Sequence, residues 1–347
     1  MILIQLVSGL VFALTLLNLF SVKSLKSKQS KNFLTESIDI LIPLRNEEAN
    51  VIPLLESLKT APGHIYVLDD SSTDKTLELL KNSRPQITIL NGKELPPGWL
   101  GKNFACHQLA VASSGDYLVF LDADVRLESG AIESSIEYME RRNWSYISPY
   151  PRQIARGILG HLIQPLLQWS WFSSVPFLIA YRFPNKSMAV ANGQFLIIKR
   201  DAYLKSGGHK EIKDEVIDDI ELARLLISRG FIGGVVDGSR IATCTMYENS
   251  RQLVDGYSKS LWRAFGSIWG TLIATVLLLT TAYPFFKAWD WALLIFISRF
   301  MVAFKVRGKL IDSLFHPFSI FALIYLISRS NLLHWQGKLQ WKDRRLT

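Results

Sequence analysis

Apolar and polar positions follow three different rhythms along this chain. Residues 1–20 form an apolar run interrupted only by Gln5, Ser8, Thr15 and Asn18, and about 20 such residues suit one helical crossing of the hydrocarbon layer. Lys23, Lys26, Lys28 and Lys31 follow at once. A cleaved signal peptide carries its charge ahead of the apolar run and ends in small residues, so the pattern predicts an uncleaved anchor over 1–22 and a basic linker over 23–37. From 38 to 262 short apolar runs alternate with helix-length periodic segments, which predicts an α/β body. Strands are expected at 38–41, 65–68, 87–90 and 117–121, with helices starting near Ala49, Asp74, Lys102 and Ser129.

The third rhythm is near the other end. Residues 265–286 and 289–304 predict a hairpin of membrane helices, followed by Lys305, Arg307 and Lys309. A last apolar stretch, 314–327, begins at His316-Pro317 and leads to a tail over 331–347 with Lys338, Lys342, Arg344 and Arg345. A full crossing there would export a basic tail against the positive-inside rule, whereas a re-entrant or interfacial segment would keep it inside. The region 263–330 is thus expected to hold two or three membrane or interfacial helices. Within the body, the aromatic stretch 159–181 is broken by Pro165 and Pro176. It reads either as a helix lying in the lipid interface or as a buried core helix.

At 49% hydrophobic and 20% charged residues among 347, the chain has enough apolar surface to bury a core or enter a membrane, which excludes a disordered protein. Its net charge of +9 is unevenly placed: +4 within 1–35 and +7 within 297–347, leaving −2 for the body. The excess therefore reads as membrane topology, with the protein in the cell membrane as a multi-pass chain and the body in the cytoplasm. A near-neutral body offers no phosphate-tracking stripe, so nucleic acid is not an expected partner. Cys106 and Cys244 lack metal-ligand spacing and read as packed thiols in a reducing compartment.

In an open α/β sheet the ligand lies beyond the carboxyl ends of the strands. After the first strand come Pro43, Leu44, Arg45, Asn46 and Glu47, and Pro43 is expected to end the ladder. The second strand ends in Asp69-Asp70 before a Ser-rich turn, with Asp74 as an N-cap; taken alone, this is also an ordinary helix-entry turn. The fourth strand runs into Asp122-Ala123-Asp124. Two carboxylates one residue apart at a strand end can aim hard oxygen ligands at a divalent ion that also holds a diphosphate.

PLRNEE, VLDDSSTD, GWLGKNFAC and FLDADV, in this order and at these intervals, resemble family 2 glycosyltransferases of the GT-A fold, a Rossmann-like nucleotide-diphospho-sugar transferase domain. The resemblance spans 38–262. It is nearest to the membrane-bound branch of diaponeurosporenoate (carotenoid) and hopanoid-associated glycosyltransferases, through PPGWLGKNFAC, the terminal apolar helices and WQGKLQWKDR. This likeness implies a nucleotide-diphosphate sugar donor, a Mg or Mn ion, inversion at the anomeric carbon and a membrane lipid acceptor. It implies donor binding by Pro43, Arg45, Glu47, Asp69, Asp70, Lys102, Asp122 and Asp124, with the metal on Asp124 and Asp122. A lysine opening a helix adds charge to amides already suited to phosphate; Lys102 also reads as a surface residue after a loop.

On the acceptor side, the resemblance assigns Gly193, Gln194, Asp218 and Trp262 to the acceptor and sugar pocket and Asp219 to the catalytic base. Acids opening a helix are favoured by its dipole in any case, and Asp218, Glu215 and Glu221 are neighbouring alternatives for the base. Membrane polysaccharide synthases carry Gln-x-x-Arg-Trp after the base, but here the place reads YSKSLWR. Ser258 and Leu261 replace the Gln and Arg, with Lys259 and Arg263 nearby. A single transfer to a lipid is thereby favoured over a polysaccharide or glycan synthase, and the retained Asp122, Asp124 and Asp219 weigh against a non-catalytic membrane-anchored binding protein.

Overall fold

The computed structural model describes residues 1–28, 37–83, 87–341 and 344–345. Lys31, Lys342, Asp343 and the predicted linker from residue 29 to 36 lie outside the described residues. In chain order the elements are α1 (Ile2–Ser21), β1 (Ile38–Leu44), α2 (Glu48–Ser57), β2 (His64–Asp69), α3 (Thr76–Lys81), β3 (Ile87–Asn91), α4 (Gly101–Ala112), β4 (Tyr117–Leu121), β5 (Val125–Leu127), α5 (Ala131–Arg141), β6 (Tyr146–Tyr150), β7 (Arg152–Gln153), α6 (Gly157–Ser174) and α7 (Phe177–Arg182). Then follow β8 (Phe195–Lys199), α8 (Arg200–Ser206), α9 (Asp218–Ser228), β9 (Gly233–Asp237), β10 (Ala242–Cys244), α10 (Ser250–Ser258), α11 (Ile268–Ala282), α12 (Pro284–Lys287), α13 (Trp289–Lys305) and α14 (His316–Trp335). They divide into two units, one of residues 23–152 and 180–244, the other of 1–22, 153–179 and 245–347.

The first unit is built on a seven-stranded sheet in the order β3-β2-β1-β4-β8-β6-β9. β1 to β4 run parallel, β8 is antiparallel to both β4 and β6, and β6 and β9 are parallel. The inner strands are apolar on both faces, as strands covered by helices on each side must be. Ile38, Ile40, Ile42 and Leu44 of β1 pack with Val51, Leu54 and Leu55 of α2 and Ile132, Ile136 and Met139 of α5. Leu41 points the other way and packs with Leu118, Phe120, Cys106, Leu109, Leu222 and Leu226, which covers that face with α4 and α9. Asp39, buried on β1, accepts from the amides of Ser114 (2.8 Å) and Gly115 (2.6 Å). A side chain at Gly115 would start 2.9 Å from the Asp39 carboxyl carbon, so this turn needs glycine.

The strands expected from the sequence are present, with one correction. Pro43 does not end the ladder: β1 continues through Pro43↔Leu68 to Leu44↔Asp69. Its pairing with β4 stops at Leu41↔Phe120, while the Leu44 carbonyl accepts from Asp70 N on the β2 side. Successive residues face opposite neighbours, so the N–H that proline lacks would face the side where pairing has already ended. Residues 23–25, expected as linker, also pair: Asp237 N donates to Lys23 O and Leu25 N to Asp237 O, both at 2.9 Å.

The second unit is helical. Three of its segments, 2–21, 268–287 and 310–335, are long and apolar enough to cross a membrane, and α13 adds a further apolar helix of 17 residues. The polar interruption Asn18 has a local cause. Its Nδ2 donates to the carbonyls of Phe172 (2.8 Å) and Val175 (2.6 Å), and its Oδ1 accepts from Phe177 N (3.1 Å). A side chain of α1 thus satisfies orphan groups at the end of α6. Lys305 Nζ likewise donates to Leu19 O at the end of α1 (2.9 Å), where a cation is favoured by the helix dipole. Of the two readings of 159–181, the buried helix describes Ile163, Leu166, Trp169, Trp171 and Phe172 of α6, whereas Leu178 and Ile179 of α7 are exposed. Trp169 Nε1 donates to Ser298 Oγ at 2.9 Å, an inward bond that a lipid-facing indole would not make.

Asn18→Leu is expected to destabilise the helical unit by about 2–4 kcal/mol, because two carbonyls and one amide lose a buried partner. Thermal unfolding of the purified chain in detergent measures it, and a transition at the wild-type temperature would show that solvent reaches these groups.

Candidate active site

The carboxyl end of the parallel strands gathers most of the singled-out residues. At the end of β1, Arg45 Nη1 donates to the Asp70 carbonyl (2.7 Å) and lies 3.9 Å from its carboxylate. Asn46 adopts φ 50°, a left-handed conformation that asparagine tolerates. There its amide donates to Ser72 Oγ (2.9 Å) and its Oδ1 accepts from Thr73 N (2.8 Å). Glu47 N donates to Thr76 Oγ1 (2.8 Å). The loops after β1 and β2 are thereby laced together, with Asp69 and Asp70 buried between them. Asp74, expected as an N-cap, accepts from Thr76 N (3.0 Å) and Glu48 N (3.1 Å), and so serves the starts of both α3 and α2.

Asp122 leaves β4 with its amide on the Gln194 carbonyl (3.0 Å). This contact follows from topology, because antiparallel β8 returns beside β4 and puts the turn before it at the β4 carboxyl end. Lys102, in the first turn of α4, reaches both Asp122 oxygens (3.0 and 3.1 Å) and Asp218 Oδ2 (3.3 Å). Asp219 accepts from Gly193 N (2.9 Å) through Oδ2 and from Ile220 N (2.8 Å) through Oδ1. Acids from the end of β4 and the start of α9 therefore meet on one lysine, with Gly193 alongside. The Lys102 ammonium is held well above its usual range: burial opposes its charge, but Asp122, Asp218 and Asp219 outweigh burial.

The same crowding perturbs the acids. Burial, then the charge of Asp218, pushes the Asp219 carboxyl up to about 6, against the pull of the Gly193 amide and Lys102. Burial, then the charge of Asp122, pushes Asp124 up to about 6 as well, although a bond from Cys244 favours its ionised form. A carboxylate poised near neutrality suits proton transfer.

Asp124 also bears on the expected metal. Its Oδ1 is buried and has no hydrogen-bond partner among the described residues. An orphaned carboxylate oxygen beside a second carboxylate fits a Mg or Mn ion, which the protein would hold through Asp124 and Asp122. No group of three or more His, Cys, Asp or Glu is placed to hold a metal among the described residues, so phosphate and water oxygens would complete the shell, as is usual for Mg.

Several residues here went unread in the sequence. Arg126, two places after Asp124, donates to the carbonyls of Ala123 (2.7 Å) and Val125 (2.8 Å) and to Asn50 Oδ1 (2.7 Å). Asn50 in turn donates to Glu47 Oε2 (2.8 Å). This strut joins the Asp122-Asp124 turn to the loop after β1. Asn103, next to Lys102, is buried and donates to the carbonyls of Ile212 (2.7 Å), Lys213 (3.3 Å) and Glu215 (3.0 Å), fixing the segment ahead of Asp218. Asparagine and arginine beside an acidic motif were the available signal, but their partners are remote in sequence. Trp262 lies in the helical unit, where its ring stacks on His334 at 3.7 Å and its amide donates to Ser330 Oγ.

Gly193→Ala would place a Cβ 3.2 Å from Asp219 Cβ, close enough that Asp219 must shift by a few tenths of an ångström, and in ordinary contact with Lys102 Nζ at 3.5 Å. The Asp219 carboxylate is expected to lose its Gly193 bond and titrate higher, by about one unit. Carboxyl carbon NMR of selectively labelled protein measures this, and an unchanged Asp219 titration would refute the contact.

Comparison with known proteins agrees with this geometry. Residues 39–207 match the model of glycosyl transferase family 2. The chain is similar to 4,4'-diaponeurosporenoate glycosyltransferases of Staphylococcus haemolyticus (25% identity over 244 residues, 67% of this chain and 63% of that one) and Staphylococcus aureus (26% over 265 residues, 73% and 68%). It thus spans about two-thirds of the length of these relatives. Among solved structures, a mannosyltransferase of Pyrobaculum calidifontis, in complex with GDP-Man and Mn2+, aligns with 96% of this chain and 99% of its own at TM-score 0.56 and 13% identity; that likeness concerns the fold. Residues 39–207 are accordingly a family 2 glycosyltransferase domain, and its fold is that of the GT-A transferases.

Proposed function

We propose that this protein is an inverting glycosyltransferase that moves one sugar from a nucleotide-diphosphate donor to a hydroxyl or carboxyl group of a membrane lipid. The observation that carries the reading is the meeting of Asp122, Asp218 and Lys102, with Asp219 held on the Gly193 amide. It supplies a place for a diphosphate and, on a different element, a carboxylate for the acceptor. The 4,4'-diaponeurosporenoate glycosyltransferases to which the chain is similar favour a carotenoid-like acceptor. The apolar helices, with Lys23, Lys26 and Lys28 following the first, favour a multi-pass protein of the cell membrane with the glycosyltransferase domain in the cytoplasm.

In the proposed reaction the loops after β1 and β2 hold the nucleoside through Arg45, Glu47, Asp69 and Asp70, while Lys102 carries positive charge toward the diphosphate. A bound Mg or Mn ion would stabilise the negative charge of the departing diphosphate. Asp219 takes the acceptor proton as the acceptor oxygen bonds to the anomeric carbon and the bond to the diphosphate breaks. Inversion requires the base opposite the leaving group, and Asp219 on α9 is supplied by a different element from Asp122 and Asp124. Gly193 and Gln194 border the acceptor and sugar pocket in this reading, with Asp218 beside them.

Asp219→Asn is expected to keep metal-dependent nucleotide binding and lower transfer about 10²–10⁴-fold, read by extracting lipid from membranes incubated with labelled nucleotide sugars. Normal turnover would remove the assignment, label in insoluble polymer would favour a glycan synthase, and no transfer by the wild type with any donor would favour a binding protein. A base must be ionised to act, so kcat/KM is expected to fall as pH drops through about 6, the position of Asp219. Asp218→Asn removes a charge that raises Asp219, and should move this limb to lower pH; a limb that stays in place would assign it to another group. Asp124→Ala should weaken nucleotide-diphosphate binding with Mn present by about tenfold or more, and calorimetry showing unchanged affinity would exclude Asp124 as a ligand.

A further inference from the structure

The helical unit contains a buried cation that forms no ion pair among the described residues, although the charge of Asp312 acts on it. Arg299 of α13 is 2% exposed. Its Nη1 lies 3.2 Å from His316 Nδ1, and His316 Nε2 lies 3.0 Å from Thr281 Oγ1. The Thr281 hydroxyl gives its own proton to the Leu278 carbonyl (2.7 Å), so it accepts from His316. The imidazole therefore carries hydrogen on Nε2 and accepts the guanidinium at Nδ1, which makes it neutral. Asp312, the buried acid of the same unit, is engaged by His161 at 3.0 Å, and no carboxylate forms an ion pair with Arg299 among the described residues. Arg299 Nη2 has no hydrogen-bond partner among them.

Other polar groups of the helical unit share this condition. Both amide atoms of Gln164, Nε2 of Gln168 and the Ser319 hydroxyl are buried without partners among the described residues. Trp169 ties α6 to this region: it follows Gln168 in the chain, bonds to Ser298, which precedes Arg299, and meets the His316 ring edge-on at 5.3 Å. An incompletely paired guanidinium among apolar helices calls for an acceptor that carries negative charge, which the amide and hydroxyl donors could also bind. A planar guanidinium matches a carboxylate or a phosphate better than any neutral acceptor. Flanking His316 in the chain, Leu314, Phe315 and Phe318 are exposed apolar side chains, which suit a ligand with an apolar tail.

We propose that Arg299 is the binding group of an oxyanion site within the helical unit, for a phosphate or carboxylate borne on a lipid. The site does not depend on the glycosyl-transfer reading. The full chain, purified and delipidated in neutral detergent, would be titrated with dicetyl phosphate, palmitate, inorganic phosphate or dioleoylglycerol and followed by thermal unfolding. One or both anionic amphiphiles should raise the unfolding temperature at concentrations about tenfold or more below inorganic phosphate, and dioleoylglycerol should not. Arg299→Leu should raise the half-saturating concentration about tenfold or more, and Arg299→Lys, which keeps the charge without the planar fork, by less. An inorganic phosphate effect as strong as that of the amphiphiles would overturn the lipid-borne ligand. No anion effect in the wild type, or the same effect in the Arg299→Lys and Arg299→Leu variants, would overturn the site. The wild-type and Arg299→Lys arms remain decisive even if Arg299→Leu does not fold.

Discussion

Like charges brought together and partly dehydrated repel, and the glycosyltransferase domain is organised around containing that repulsion. Asp122, Asp124, Asp218 and Asp219 come from two elements far apart in sequence, and two of them share the Lys102 ammonium. Burial, and then the charge that one lysine cannot neutralise among four carboxylates, raises the proton affinity of Asp124 and Asp219. The protein offsets part of it with backbone dipoles, using the amides of Gly193 and Ile220 on Asp219. In the proposed reaction, an arrangement costly in isolation would become favourable once a cation, a phosphate and an acceptor proton shared the charge.

Much of the sheet was legible because its strands are buried on both faces. The runs ILIPL and YLVFL have only one interpretation once helix-length segments separate them, and acids at their ends fall where parallel strands deliver ligands. Pro43 was misread because a ladder was treated as a single entity, whereas each residue faces one neighbour and β1 loses β4 before it loses β2. The return of β8 antiparallel to β4, which carries Gly193 to the Asp122 turn, has no signature in the residues themselves. The Arg126-Asn50-Glu47 strut escaped reading for the same reason: a hydrogen bond spanning 76 residues leaves no local period.

The helical unit shows the converse. Its apolar rhythm announced the helices but not what their polar interruptions do. Asn18 occupies the end of α6, and Trp169 turns inward to Ser298, so residues that looked like blemishes or lipid anchors are joints between helices. In a setting with few competing water molecules, a side-chain amide that closes a neighbouring helix end gives directional specificity that apolar packing alone lacks.

Asn103 makes the geometry of the acidic cluster dependent on chain length as well as on composition. By binding three carbonyls between Ile212 and Glu215, it leaves only Val216 and Ile217 to span the distance to Asp218. The segment works as a measured spacer: relatives that vary freely in its side chains could not add or lose a residue there without turning Asp218 and Asp219 away from Lys102.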